Sequence, residues 1–249
     1  MFSLKKQLNK IVFNTDIHCH ILPGIDDGFK TFENSLSAIK MMFENGVRNI
    51  IFTPHIDSHT FPNSTEDFII NKFNEFIKST PSDIGINFGL AAEYMVTPNF
   101  DKSISDKLLC LNGFSKKKDV KYILIEMSYF FESNNIKDIV FALNLAGFKP
   151  VLAHPERYLY YARELKILND LRDMGVFFQM NMMSLSGTYG RESIIILDYM
   201  IKNNFYDFIA SDLHSIKQYN NILDIKFPKK YFDFITKLAE RTKEEFSIN

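Results

Sequence analysis

The sequence predicts an α/β fold, a distorted, TIM-like (β/α)7 barrel formed by a single domain over residues 1–249. Three observations point there. Seven short apolar runs recur along the chain, helical periodicity fills most of the intervals between them, and nearly every run ends in a His, Asp or Glu. The runs are apolar on both faces, as buried parallel strands are. Strands alternating with helices require parallel pairing through right-handed crossovers. Seven such units suit a closed or distorted barrel better than a doubly wound sheet, which would lack a ring of polar strand ends.

The runs cover residues 11–17, 50–53, 86–92, 122–125, 150–153, 176–180 and 205–210. After the first, residues 33–45 carry Leu36, Ile39, Lys40 and Phe43 at near-helical spacing and stop at Gly46. Ser64, followed by Asp67, is expected to cap a helix over 67–78, with Phe68, Phe73, Phe76 and Ile77 as its apolar face. The segment 97–119 is the least regular, expected as a helix plus loop. Further helices are expected over 136–146, ending at Gly147, over 163–174, ending at Gly175, and over 192–202, running into Asn203-Asn204. An amphipathic helix over 231–246 closes the chain.

Apolar residues make up 46% and charged residues 24%, a balance able to bury a large core. The net charge of −1 argues against a nucleic-acid partner. The 25 phenylalanines and absent tryptophan read as compositional drift. Two cysteines, Cys19 and Cys110, form no disulfide framework, which suits a reducing compartment. The first ten residues lack a secretory apolar core, and no apolar stretch nears the roughly 20 residues that span a bilayer. A cytoplasmic protein without membrane insertion is expected.

The strand ends carry the chemistry. They read Asp16-Ile17-His18-Cys19-His20, Thr53-Pro54-His55, Ala92-Glu93, Ile125-Glu126, Ala153-His154, Gln179-Met180-Asn181 and Ser211-Asp212-Leu213-His214. His18 and His20 lie two apart, so on extended backbone they point the same way, as do Asp212 and His214. A lone histidine is more often a satisfied core or surface residue. Here five of the six fall at strand ends, all but His59, together with two glutamates that burial would penalise unless paired or metal-bound. Nitrogen and oxygen donors suit Mn, Fe, Zn or Co. At least eight candidate groups exceed the needs of one ion, so two or three divalent metals bridged by a carboxylate are expected. Such a cluster polarises a phosphoryl oxygen and acidifies water, to a pKa of about 7 in favourable zinc sites.

These segments resemble the polymerase-and-histidinol-phosphatase (PHP) superfamily, and within it the bacterial manganese-dependent protein-tyrosine phosphatases encoded with capsule and exopolysaccharide genes. The stretch from Asp16 through Leu22-Pro23-Gly24-Ile25-Asp26-Asp27-Gly28 and the His154-Pro155-Glu156-Arg157-Tyr158 stretch are the most specific carriers. The others are Thr53-Pro54-His55, Ala92-Glu93-Tyr94, Leu124-Ile125-Glu126-Met127 and Ala210-Ser211-Asp212-Leu213-His214. The resemblance implies a PHP-type barrel whose site holds up to three metals, manganese first among them. It implies His18, His20, Glu126 and Asp212 for one ion, Glu93, Glu126 and His154 for its neighbour, and Asp27, His55 and His214 for the third. Asp27 rather than Asp26 is the implied ligand. Glu126 and His154 are further implied in catalysis, and Arg157 as the phosphate clamp, a role its planar fork suits. A surface ion pair is the alternative role for Arg157.

One position departs from the family pattern, which places an arginine shortly after the Asp-x-His pair. Here Ser215-Ile216-Lys217-Gln218-Tyr219 offers only Lys217, and Arg191 after the sixth run is the other candidate for substrate binding. A cysteine phosphatase is excluded: six positions after Cys19 stands Ile25, and six after Cys110 stands Lys116, where arginine is required. Cys19 is expected to pack behind its flanking histidines. Phe61, Tyr129, Phe130, Phe131 and Tyr189 are placed either to stack on a substrate ring or simply to anchor loops. The resemblance implies a phosphotyrosine protein as substrate, a bacterial tyrosine kinase of polysaccharide export as its source. Other readings are a histidinol-phosphate type of small-molecule phosphatase, a metal-dependent amidohydrolase, which usually wants a lysine where Glu126 stands, and a regulatory protein keeping a metal site.

Overall fold

The computed structural model describes residues 5–105, 107–111 and 120–246. Its elements follow in chain order as β1 (Lys5–Gln7), β2 (Thr15–Asp16), α1 (Phe32–Glu44), β3 (Asn49–Phe52), β4 (His55–Ile56) and α2 (Glu66–Ser79). After these come β5 (Asn87–Leu90), β6 (Glu93–Met95), β7 (Lys121–Glu126), α3 (Ile136–Leu145), β8 (Phe148–Ala153) and α4 (Lys166–Asp173). The chain closes with β9 (Phe177–Asn181), α5 (Arg191–Lys202), β10 (Phe208–Ala210), α6 (Ile216–Leu223), β11 (Lys226–Pro228) and α7 (Phe232–Phe246).

Parallel pairing holds as expected, divided between two sheets. One has the order β2-β3-β5 and the other β10-β9-β8-β7-β6-β4. The second and third predicted strands each break in two. Thr53-Pro54 separates β3 from β4, because proline lacks the N–H a central ladder needs, and Ala91-Ala92 separates β5 from β6 alongside it. Backbone bonds cross the breaks, Ala91 N to Phe52 O at 2.8 Å and Glu93 N to Pro54 O at 3.1 Å. At the other edges a parallel bridge pairs Cys19 with Leu213, flanked by His20 N donating to Leu213 O at 2.9 Å. The antiparallel pair β1–β11 and helix α6 were outside the predicted set; both are too short for periodicity to mark.

Helix ends follow capping chemistry. Thr31 caps α1 by accepting from Asn34 N. For α2 the cap is Thr65, not the predicted Ser64, whose hydroxyl is buried and donates to the His55 carbonyl at 2.5 Å. α4 starts later than predicted because 159–163 coils as a 3-10 turn. Within 97–119 the structure holds a 3-10 turn over Phe100–Ser103; residues 106 and 112–119 of that predicted helix plus loop lie outside the described ones.

Two apolar clusters hold the elements together. The larger lies between strands and helices, where Phe52 stacks on Phe88 and meets Phe73 and Phe76 edge-on. Many of the phenylalanines pack in or against this core, whereas Phe130, Phe131 and Phe141 are exposed. The smaller cluster takes alternate residues from the strands, among them Ile17, Ile51, Ala91, Leu124, Val151 and Phe208, with Phe246 of α7 against them. Period-two alternation carries these inward faces on to the site: Leu124 leads to Glu126, Ala91 to Glu93 and Ala210 to Asp212.

Away from the site, buried Asp207 accepts from Arg172, Arg241 and Phe178 N, tying α4, β9 and α7 to the start of β10. Both arginines keep solvent contact, so the charge term is discounted. Asp207→Ala is expected to cost about 2–3 kcal/mol, chiefly through the orphaned Phe178 amide and lost charged hydrogen bonds. Thermal unfolding should register it as a Tm lower by roughly 5–10 °C; an unchanged Tm would refute the role.

Candidate metal centre

Nine sequence-predicted donors converge at the C-terminal strand ends. Three groups offer ligand atoms within 4.8 Å of one another: His18, His20, Glu93 and Asp212; His20, Asp27, His55 and His214; and His55, Glu93 and Glu126. His154 joins through its Nε2, 3.1 Å from Glu93 Oε1. The partition differs from the one implied by the resemblance. Glu93, not Glu126, stands with His18, His20 and Asp212, and Glu126 lies beside His55 at 2.8 Å.

Local structure aims these groups. His154 and Asp212 both adopt left-handed backbone, φ 35° and 51°, a region uncommon outside glycine though one that His and Asp enter more often than most residues. Each costs of order 1–3 kcal/mol and turns its side chain off the strand into the cluster. Gly28 packs so closely on His20 that a Cβ would stand 2.1 Å from the His20 carbonyl oxygen. Only glycine fits there.

Hydrogen bonds to the outer ring nitrogens set the tautomers. His18 Nδ1 donates to Gln179 Oε1 at 2.9 Å, His20 Nδ1 to Asp26 Oδ2 at 2.8 Å, and His214 Nδ1 to the Asp212 carbonyl at 2.9 Å. Each histidine therefore turns its Nε2 inward. Those of His18 and His20 lie 3.2 Å apart, close enough to share a proton and also to act as two ligands held roughly 2.1 Å from one cation. Buried His55 Nδ1, Glu93 Oε2 and His154 Nδ1 have no aligned hydrogen-bond partner. The first two lie 3.1 Å apart, with Glu126 Oε1 2.8 Å from His55 Nδ1. Buried polar atoms rarely go unmatched, and a divalent ion would satisfy this pair.

The electrostatics agree. Burial resists charge on His18, His20 and His55, yet the surrounding carboxylates prevail and hold all three above the usual histidine range. Glu93 and Asp212, equally buried, are held well below the carboxylate range by those histidines. Glu126 is pushed up by burial and by the charge of Glu93. His154 is pushed down to about 4 by burial, which leaves it neutral, the form that ligates. Protons do in this arrangement what cations would do better.

Four supporting residues escaped the sequence reading. Asp26 orients His20, also accepting from Gly28 N and His55 N. Gln179 and Asn181 continue the inward face of β9 from Phe177, and Asn181 Nδ2 donates to Asp212 Oδ2 at 2.8 Å. The two-residue spacing was visible, but amides at strand ends carry no signal alone. Glu156 is buried and accepts from Asn181 N, Ser184 and Tyr206, bracing β8 against β9. Cys19 is buried with its thiol against the Ile51 carbonyl, and burial pushes its pKa far up.

The cluster opens to solvent through a mouth of about 190 Å³ bordered by Asp27, His55, Phe61, Tyr129, Arg157 and His214. Arg157 donates to Asp212 Oδ2 at 2.7 Å, with its guanidinium 4.4 Å from the Tyr129 ring and 4.7 Å from that of Tyr189. Phe61 stacks on His55 at 5.4 Å. Lys217, exposed on α6, and Arg191, exposed on the first turn of α5, do not border the mouth.

Known proteins are similar to this chain. The family model described as capsular polysaccharide synthesis, CpsB/CapC, matches residues 14–227. The chain is 29% identical to the tyrosine-protein phosphatase YwqE of Bacillus subtilis, over 82% of this chain and 79% of that one. It is 32% identical to the putative tyrosine-protein phosphatase CapC of Staphylococcus aureus, over 81% and 77%. It is 29% identical to the tyrosine-protein phosphatase CpsB of Streptococcus pneumoniae, over 94% and 95%. Among solved structures it superposes with a TM-score of 0.69 and 25% identity, over 94% and 96% of the two chains, on a structure from a study of YwqE and CpsB as metal-dependent tyrosine phosphatases. The phosphotriesterase homology protein of Escherichia coli shares the fold at a TM-score of 0.50 and 14% identity, over 94% and 96%. No helix among the described residues is long and apolar enough to cross a membrane.

Proposed function

The chain belongs to the CpsB/CapC family of capsular polysaccharide synthesis, and from that premise we propose that it hydrolyses phosphotyrosine on protein at the strand-end metal centre. It is a metal-dependent tyrosine-protein phosphatase, as its relatives are named. The observation that carries the reading is the juxtaposition of the three donor groups with Arg157 at one narrow mouth. We read the two sheets as one distorted seven-unit barrel and the chain as one catalytic domain.

In this reading His18, His20, Glu93 and Asp212 would hold one ion, Asp27, His55 and His214 a second, and Glu93, Glu126 and His154 a third. Two or three ions are accommodated, manganese first among them. When bound, they polarise the phosphoryl oxygens and acidify a water toward neutrality. Arg157 grips the phosphate through the guanidinium edge not given to Asp212, its plane held between Tyr129 and Tyr189. Tyr129 Oη, 3.4 Å from His154 Nε2, stands ready to orient the ester oxygen. Phe61 and Tyr129 line the mouth with ring faces suited to a tyrosyl group. The substrate we assign is a tyrosine kinase of polysaccharide export, met in the cytoplasm.

Rates of the metal-loaded protein on phosphotyrosine peptides, phosphoserine peptides and histidinol phosphate test the assignment. Preference for phosphotyrosine is expected; histidinol phosphate turned over equally well would move the protein to the small-molecule class. Arg157→Lys keeps the charge but loses the planar fork. Its kcat/KM is expected to fall about 10²–10³-fold with metal content unchanged, as when a transition-state donor is removed. A wild-type rate would take Arg157 out of the mechanism.

A further inference from the structure

The mouth is too small for a peptide. Its 190 Å³ lies below the roughly 300–1,000 Å³ of pockets that enclose drug-sized ligands, so it admits a side chain and leaves the attached chain on the rim. On one side the rim continues into a groove of about 560 Å³, bordered by Tyr129, Phe130, Leu159, Tyr160, Arg163 and Ile195. Tyr129 is a wall of both. The mouth also shares Asp57 and Met95 with a depression of about 290 Å³ that includes Ser58, Glu66, Ser103 and Lys107. Groove and depression thus each adjoin the mouth through shared walls.

The groove is unusual in what it leaves in water. Phe130 is 92% exposed, Ile195 40% and Leu159 39%, three large side chains from three different segments around a single groove. Scattered singly they would need no explanation; gathered beside a catalytic mouth they mark a contact surface. The segment that presents Phe130 is anchored. Tyr160 Oη donates to Ser128 O at 3.0 Å, Tyr158 Oη accepts from Met127 N at 3.0 Å, and Phe130 N donates to Ser128 Oγ at 3.2 Å. Rings of Tyr129, Tyr158 and Tyr160 stack in sequence at 5.9 Å spacings, joining the mouth wall to the groove floor. Exposed Arg163 and Glu192 give the groove the polar rim of a peptide-binding surface.

We propose that the Phe130–Leu159–Ile195 groove docks the substrate segment flanking the phosphotyrosine, taking one aliphatic or aromatic side chain from it. The proposal rests on the phosphotyrosine reading above and adds the determinant that selects among phosphotyrosine sites. Docking a flanking residue raises peptide kcat/KM without touching the hydrolysis of free phosphotyrosine.

The test uses the manganese-loaded full chain, free phosphotyrosine, an alanine-flanked phosphotyrosine peptide, and peptides with one Leu placed in turn at each nearby position on either side. At least one Leu peptide should exceed the all-alanine peptide about tenfold in kcat/KM. Phe130→Ala and Ile195→Ala should each erase most of that gain, while free phosphotyrosine stays within about twofold of wild type. Two variants from separate segments guard against an isolated folding defect. Absence of any Leu preference, or a preference the variants leave intact, overturns the proposal. So does an equal loss on free phosphotyrosine, which would mean a distorted mouth. A change in sedimentation from a larger species to monomer, with peptide kinetics unmoved, would assign the groove to a second copy of this chain instead. Wild type inert on every phosphotyrosine compound would remove the underlying function and the docking with it.

Discussion

Glu93→Ala is expected to lose at least about 10³-fold in kcat/KM and to retain fewer metal ions per chain than Glu126→Ala. Its carboxylate is the hub of the centre. Oε2 lies 3.1 Å from His18 Nε2, 3.3 Å from His20 Nε2 and 3.1 Å from His55 Nδ1, and Oε1 lies 3.1 Å from His154 Nε2. It belongs to two of the three donor groups, so its removal opens both, whereas Glu126→Ala opens one. Metal polarisation supplies several kcal/mol of barrier lowering, and 4 kcal/mol is a factor of about 10³. Metal-to-protein ratios, measured with kinetics and far-UV circular dichroism, distinguish loss of metal from loss of fold. A folded variant that keeps full metal content and wild-type turnover would refute the hub.

Removal of divalent metal by a strong chelator should lower phosphatase activity at least about 100-fold, and Mn²⁺ should restore it. Undiminished turnover with metal loss verified would end the metal reading. The same titration carries two further signatures. Each site filled at a hundred times its Kd stabilises the fold by about 2.7 kcal/mol, worth roughly 5–10 °C in Tm. Loading should also weaken as the pH falls. Burial opposes protonation of His18, His20 and His55, but the carboxylates outweigh it and raise all three, so these rings hold protons that a cation must displace. The raised pKa values place that competition above the ordinary histidine range, and affinity drops on passing below it. Affinity independent of pH there would contradict these ligands.

The sequence by itself determined the repeating order of strand and helix, because burial on both strand faces and on one helix face leaves periods of two and 3.6. It placed the donors as well: His18, His20, His55, Glu93, Glu126, His154, Asp212 and His214 all follow apolar runs, and strand ends in such folds meet at one face. The capping residue of α2 was off by one position, since Ser64 and Thr65 are chemically alike and only the His55 carbonyl distinguishes them.

What the tertiary structure decided was every relation between segments distant in the chain. It put Glu93 rather than Glu126 beside His18 and His20, although each closes an apolar run in the same manner. It brought the Asp26 carboxylate to the outer ring nitrogen of His20, a contact that only the packed turn on Gly28 makes. It gave Gln179 and Asn181 their roles, turned Arg157 toward Asp212, and gathered Phe130, Leu159 and Ile195 around one groove. Local pattern records the free energy of burying one face of one element. Ligand partition, tautomers and grooves depend on distances between elements, which exist only once the strands are paired.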